Sequence, residues 1–196
     1  MKKRSLIILG ILICIQLAIP FRMIHSRETI LREGELFRFK TRPIDPTDPF
    51  QGKYVRLDYH NDFIPCSETE KPDLARKEPI YAFLETDTEG FTHFSGWSRT
   101  PPETGSYLKT RYLYEHSTYN AKTKKRVYKG FNIDIPFDRF YMDEAKAPRA
   151  EQIARDTSQT TNCWAAVRIF EGKAVIEDVF AEGKSLRELA AKKDEQ

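Results

Sequence analysis

The stretch Gly52-Lys53-Tyr54-Val55-Arg56-Leu57-Asp58-Tyr59 decides how this chain is read. Val55, Leu57 and Tyr59 fall on one face of a period-two pattern and Tyr54, Arg56 and Asp58 on the other, because successive side chains alternate across a strand. The first set predicts a core face. Gly52 ahead of it supplies freedom for a positive φ or a bulge. Tyr54 and Asp58 admit two readings, as ligand contacts or as cross-strand partners, and the structural one is preferred. The approach, Pro43-Ile44-Asp45-Pro46-Thr47-Asp48-Pro49-Phe50, carries three prolines that forbid regular ladder bonding and predict a rigid connection.

Working outward, Phe37 and Phe39 share a face while Leu36, Arg38 and Lys40 take the other, which predicts a half-buried strand. Aromatic and β-branched residues mark six further strands at 80–86, 91–97, 107–115, 126–135, 163–170 and 173–180. Residues 87–90 join the first two as a Gly-containing hairpin loop, and Glu171-Gly172 joins the last two more tightly. Residues 101–106 and 117–125 read as exposed loops, the second of them basic. Short helical patterns occur at 147–156 and at the C-terminus, where Ser185 and Glu188 have capping-box spacing and the last five residues read as frayed. The fold class is therefore mainly β: one predominantly antiparallel sheet or barrel-like domain with one or two short helices.

Lys2, Lys3 and Arg4 precede an apolar run from Leu6 to Ile19 broken only by Gly10, Cys14 and Gln16. From Leu6 to Phe21 a helix spans about 24 Å at 1.5 Å per residue, short of a hydrocarbon core of roughly 30 Å, and flanking Lys and Arg side chains can snorkel across the difference. Cleavage requires small residues after the run, which Ala18-Ile19-Pro20 supplies poorly. Bulky Ile11, Leu12 and Ile13 likewise argue against lipidation at Cys14. The chain thus divides into a basic cytoplasmic segment at 1–5, a transmembrane signal-anchor at 6–24, a stalk at 25–34 ended by Gly34, and an exported domain at 35–196. The positive-inside rule sends that domain across the membrane.

The chain has 32 basic and 29 acidic residues. Removing Lys2, Lys3 and Arg4 leaves 29 of each, so the remainder is formally neutral. Nucleic-acid binding needs an excess of Lys and Arg to neutralise phosphates, and that partner class is set aside.

The chain resembles the GDYXXLXY family of bacterial membrane-anchored proteins. Gly52 to Tyr59 carries the family's name pattern. A second landmark, Phe137-Asp138-Arg139-Phe140-Tyr141-Met142-Asp143-Glu144, is similar to its Arg-aromatic block, with Glu151 similar to the acidic position that follows. The closing hairpin at 165–181 is also similar. One departure is Lys53, where the family name has Asp. The resemblance implies motif positions at Asp45, Gly52, Tyr54, Leu57, Tyr59, Arg139, Tyr141, Glu144 and Glu151. It also implies a multi-pass membrane partner, since members are often encoded beside or joined to such proteins, and it implies no reaction.

Paired carboxylates can divide acid and base work, which makes Asp45, Glu144 and Glu151 the catalytic candidates of an alternative reading, a periplasmic hydrolase. The plainer reading pairs Arg139 with a nearby carboxylate as a structural link. His25, His60, His93 and His116 stand singly, without zinc-site spacing, so neither metal nor cofactor is implied. A Ser-Lys peptidase needs a serine soon after the anchor, and none lies between Arg27 and Gln51. Cys66 and Cys163, both exported, are a disulfide option or two separate thiols. Trp97, Tyr107, Tyr112, Tyr114 and Tyr119 suit either a ligand platform or a β core. The leading expectation is a non-enzymatic binding or accessory module on the inner membrane, single-pass, with its domain in the periplasm or outside the cell.

Overall fold

A computed structural model describes residues 2–44, 54–59, 62–121, 124–141 and 163–191. The period-two alternation that begins after Gly34 produces two antiparallel sheets. The strands are β1 (Glu35–Ile44), β2 (Tyr54–Tyr59), β3 (Phe63–Pro65), β4 (Pro79–Thr86), β5 (Thr92–Ser98), β6 (Tyr107–Asn120), β7 (Lys125–Ile133), β8 (Arg139–Tyr141), β9 (Cys163–Phe170), β10 (Lys173–Ala181) and β11 (Lys184–Ser185). Helix α1 (Lys2–Glu33) precedes them and helix α2 (Leu186–Ala191) follows.

One sheet has the order β11-β10-β9-β1-β2-β8 and the other β3-β7-β6-β4-β5. They pack face to face and are not closed into a barrel, which resolves the two forms the sequence allowed. The inward residues of β1, Phe37, Phe39 and Thr41, are buried, as alternation requires. Opposite them in register stand Val167 and Ala165 on β9. From the other sheet, Ile64, Ile80, Ala82, Phe94, Leu108, Phe131 and Ile133 complete one continuous core. Phe39 joins the two layers, its ring 6.0 Å from that of Phe94. All six strands predicted downstream of the motif form, with β6 and β7 extending into the stretch read as the basic loop.

Pro43 corrects the expected connection. It lies inside β1 opposite Leu57, so the strand continues two residues beyond Arg42. A proline lacks only its N–H; its carbonyl and extended φ remain compatible with a strand partnered on one side.

Helix α1 runs unbroken through Pro20 to Glu33. Its end is fixed by Gly34, whose amide donates to the Ile30 carbonyl at 2.9 Å and whose missing side chain allows close approach. A Cβ at this position would stand 2.4 Å from the Ile30 oxygen and 3.2 Å from the Arg168 Cβ on β9. The next residue already belongs to β1, with Glu35 opposite Ile169. Ile30 itself is only 5% exposed, and the Arg168 guanidinium donates to the Gly34 carbonyl at 3.1 Å while pairing with Glu177 at 2.6 Å. Residues 25–34 therefore seat the helix on the sheet. At the far end, Ser185 caps α2, its hydroxyl accepting from the Arg187 amide at 3.2 Å, and Leu186 is fully buried.

Gly130 provides a test of the β3–β7 pairing. Its φ is +143°, and a Cβ there would stand 1.9 Å from the Ile64 carbonyl oxygen. Strain and clash together predict that Gly130→Ala costs on the order of 3 kcal/mol. Urea unfolding of the full chain, followed by tryptophan fluorescence, measures it; a loss below about 0.5 kcal/mol, the scale of neutral surface changes, contradicts this register.

Candidate functional site

The two landmark segments, separated by about eighty residues of chain, meet as neighbouring strands. Tyr54 pairs with Tyr141, Val55 with Phe140 and Arg56 with Arg139, and the Leu57 amide donates to the Asp138 carbonyl at 2.8 Å. Alternation carries Leu57 and Tyr59 into the core, as the sequence predicts. Tyr59 donates its hydroxyl to the Phe137 carbonyl at 2.7 Å, and its ring stands edge-on to Phe137 and Phe39, with centroids 5.2 and 6.0 Å away. Burial, and after it the Asp138 carboxylate, pushes the Tyr59 phenol well above its usual range. Tyr59 is thus a neutral structural donor that locks the segment leading into β8.

That segment forms one wall of a cleft of about 550 Å³. The other walls come from the last turns of α1, from β10 and from α2. Ile30, Phe140, Ala174 and Ile176 give it an apolar lining, and among the described lining residues Arg27, Arg139 and Arg187 bring three guanidiniums together with one carboxylate, Asp138. Arg139 lies 3.8 Å from Asp138. Arg187 is held over the Phe140 ring at 4.9 Å and reaches Asp178 at 4.0 Å. Asp178 is itself fixed, accepting from the Val179 amide at 2.8 Å and the Ser185 hydroxyl at 2.7 Å. Its position follows a register shift in β10, a device that re-aims side chains at functional edges. Tyr141 lines the same cleft and is 56% exposed. This lining suits binding of an anion with an apolar body.

The sequence-predicted residues distribute unevenly around this cleft. Arg139 and Tyr141 line it, Leu57 and Tyr59 support it from the core, and Tyr54 contributes its backbone to the β2–β8 pairing. Asp45, Gly52, Glu144 and Glu151 lie outside the described residues, as does the helical pattern at 147–156, so the carboxylate readings attach to no described geometry. Cys66, just after β3, and Cys163, on β9 of the other sheet, are not joined in a disulfide. Burial raises the Cys163 thiol, opposed by the Thr41 hydroxyl that donates to its sulfur at 3.4 Å, which leaves it a poor nucleophile. No group of three metal-ligating side chains occurs among the described residues. Of the aromatics, Tyr112 is core, Trp97 packs edge-on against Phe131 at 5.8 Å, and Tyr114 and Tyr119 are exposed.

Arg27 and Arg187 are the lining residues that sequence reasoning missed. Arg27 sits in the stretch read as a stalk and Arg187 beside a predicted cap, and neither position carries a local signal. Only the fold brings them beside Arg139.

The Tyr59 hydroxyl yields a prediction with a definite sign. Because its folded pKa is raised above the unfolded value near 10, its contribution is present below about pH 10 and is lost as pH climbs toward the folded value. Tyr128, pushed up to about 12 by burial, acts in the same sense. Tyr59→Phe should cost about 1 kcal/mol at pH 7, by stranding the Phe137 carbonyl, and should make the alkaline decline shallower. Unfolding free energies measured from pH 7 to 11 check both; an unchanged alkaline slope contradicts the assignment.

Comparison with known proteins agrees with the motif geometry. The sequence pattern of the GDYXXLXY protein family matches residues 16–179, from inside the apolar helix into the last third of β10. No curated protein and no solved structure matches the chain. The match covers most of the sequence and takes in both landmark strands, and the chain belongs to the GDYXXLXY protein family.

Proposed function

We propose that this is a single-pass protein of the bacterial inner membrane, whose two-sheet domain stands on the periplasmic or extracellular face as a non-enzymatic accessory module for a multi-pass membrane partner. The observation that carries the reading is the surface of α1. Ile7, Ile8, Leu9, Ile11, Leu12, Ile13, Ile15, Leu17, Ile19 and Phe21 are all exposed, so this part of the helix is apolar on every side and none of it is buried against the rest of the chain. A helix apolar all round belongs in a protein core or a lipid phase. Residues Ile7–Glu33 satisfy the length and composition of a span, as a signal sequence near an N-terminus also does.

Two features favour retention over removal. The last turn of α1 is part of the folded domain through Ile30 and Gly34, so trimming near it would uncover the sheet. The apolar exposure continues through Met23 and Ile24, so that residues 6–24 span about 28 Å, close to the bilayer core. Lys2, Lys3 and Arg4 favour a cytoplasmic N-terminus. Confinement to the bilayer raises the effective concentration for a neighbouring membrane protein much as a linker does.

Fractionation of the expressed protein tests this directly. The chain should resist alkaline extraction from membranes, keep its first two dozen residues by intact mass, and be digested by protease added to spheroplasts. Photo-crosslinkers at Leu12 or Leu17 should capture a multi-pass protein. A soluble, shortened product or a protease-protected domain overturns the proposal.

A further inference from the structure

The β6–β7 hairpin carries a concentrated positive charge, in the stretch that reads as a basic loop. Between Glu115 and Asp134 the sequence has no acidic residue and five basic ones, Lys122, Lys124, Lys125, Arg126 and Lys129. Apart from Lys2, Lys3 and Arg4 the chain has 29 residues of each sign, so the hairpin's +5 leaves the remainder with 24 basic against 29 acidic residues, a net −5. Formal neutrality therefore hides a separation of charge. Among the described residues, Lys124, Lys125, Arg126 and Lys129 are exposed and form no ion pair.

The fold makes this segment a ribbon that stands clear of its sheet. Strand β4 pairs with β6 only as far as Arg111, and β3 pairs with β7 only as far as Gly130. Beyond those points, residues 117–120 and 125–128 find ladder partners only in each other among the described residues. At 3.4 Å per residue this part projects about 14 Å. A two-stranded ribbon by itself is marginally stable in water, so this one lacks the support that the rest of the sheet has. Tyr119 and Arg126 stand opposite in register and share one face of it, with Tyr119 61% exposed. Outside α1, the exposed large apolar side chains among the described residues are Leu36, Tyr114, Tyr119 and Tyr141, and β6 holds two of them. Lysines at a sheet edge discourage strand-to-strand aggregation, but that task needs no tyrosine facing water and no exclusion of acidic residues. Tyrosine beside arginine is instead the composition of protein interfaces.

Charge and reach select the partner. A long polyanion or a bilayer surface would extend over the negatively charged body as well as the ribbon. A local acidic face meets the ribbon alone, because charges more than about 8 Å apart are largely screened at physiological salt. The start of β6 is fixed near the helix–sheet junction: the Lys109 amide donates at 2.8 Å to the carbonyl of Gly172, in the β9–β10 turn, and Ile169 just before that turn pairs with Glu35. From Lys109 the strand carries Asn120 about 36 Å away along its length. That reach suffices to touch a neighbour held in the same bilayer.

We propose that the β6–β7 ribbon is a docking arm for an acidic exported loop of the multi-pass membrane partner, with Lys124, Lys125 and Arg126 meeting its carboxylates and Tyr119 packing at the centre of the contact. This rests on the accessory-module reading and adds the chemistry of the partner's surface. Charge steers the arm to the loop, and confinement of α1 to the bilayer keeps the two at high effective concentration.

The test places an aromatic photo-crosslinking residue at Tyr119 of the full chain in native membranes and maps the adduct by mass spectrometry. It should join Tyr119 to the multi-pass protein captured from Leu12 or Leu17, within an exported loop in which Asp and Glu outnumber Lys and Arg. Lys124→Gln, Lys125→Gln and Arg126→Gln combined should lower the adduct about tenfold, the effect of losing three exposed ion pairs, while most capture from α1 persists. Lys124→Arg, Lys125→Arg and Arg126→Lys combined, which keep the charge, should retain it. Thermal unfolding verifies that the variants fold, and all three side chains are exposed.

An adduct to lipid, to a second copy of this chain or to a loop without acidic excess overturns the proposal, as does full yield in the charge-removing variant. Capture from α1 with none from Tyr119 overturns it while the accessory-module reading stands. Capture from neither overturns both.

Discussion

The seating of the last turn of α1 on the six-stranded sheet is the constraint on which the architecture depends. One glycine separates the helix from β1, and a side chain at Gly34 would collide with the Ile30 carbonyl and with β9. Ile30 closes the contact from the helix side, a burial that contributes roughly 2 kcal/mol. Arg168 closes it from the sheet side by donating to the Gly34 carbonyl. With no spare residues at the junction, the direction of the apolar helix is set by the sheet. A helix joined by a flexible linker would swing freely against the domain, whereas this one has its direction set by the fold.

That constraint gives the second family landmark its place. The edge strand β8 pairs with β2, and the segment before it is held by Tyr59 through the Phe137 carbonyl. Phe140 then faces inward while Arg139 and Tyr141 stay outside, the alternation any strand imposes. The bulged β10 and the Ser185-capped α2 bring Arg187 to the same spot. Two motifs that look like separate signatures in the sequence are thus one structural unit, one half supplying core and the other surface.

Period-two patterning made the strands legible, because each is half-buried and its inward residues are large. Leu57 and Tyr59 were identified as core from that pattern alone. The division into two sheets was not legible, since β1 lies between β2 and β9 and the latter pairing spans more than a hundred residues, a distance no local pattern encodes. The proline-rich approach was read too strictly, because Pro43 breaks a ladder only on the side where its missing N–H is needed. The cleft was half visible: Arg139 stood in a recognisable block, whereas Arg27 and Arg187 have ordinary surface surroundings and acquire meaning only when the chain brings three distant segments together.

The most direct test of this account is the distance distribution between spin labels at Glu28→Cys on α1 and Lys124→Cys on the β6–β7 hairpin. It would be measured by double electron–electron resonance in nanodiscs, with Cys14, Cys66 and Cys163 replaced. A helix seated through Ile30, Gly34 and Arg168 predicts one narrow distribution that broadens in Arg168→Ala. A broad distribution in the otherwise unaltered protein would show a hinge at the junction and contradict the account.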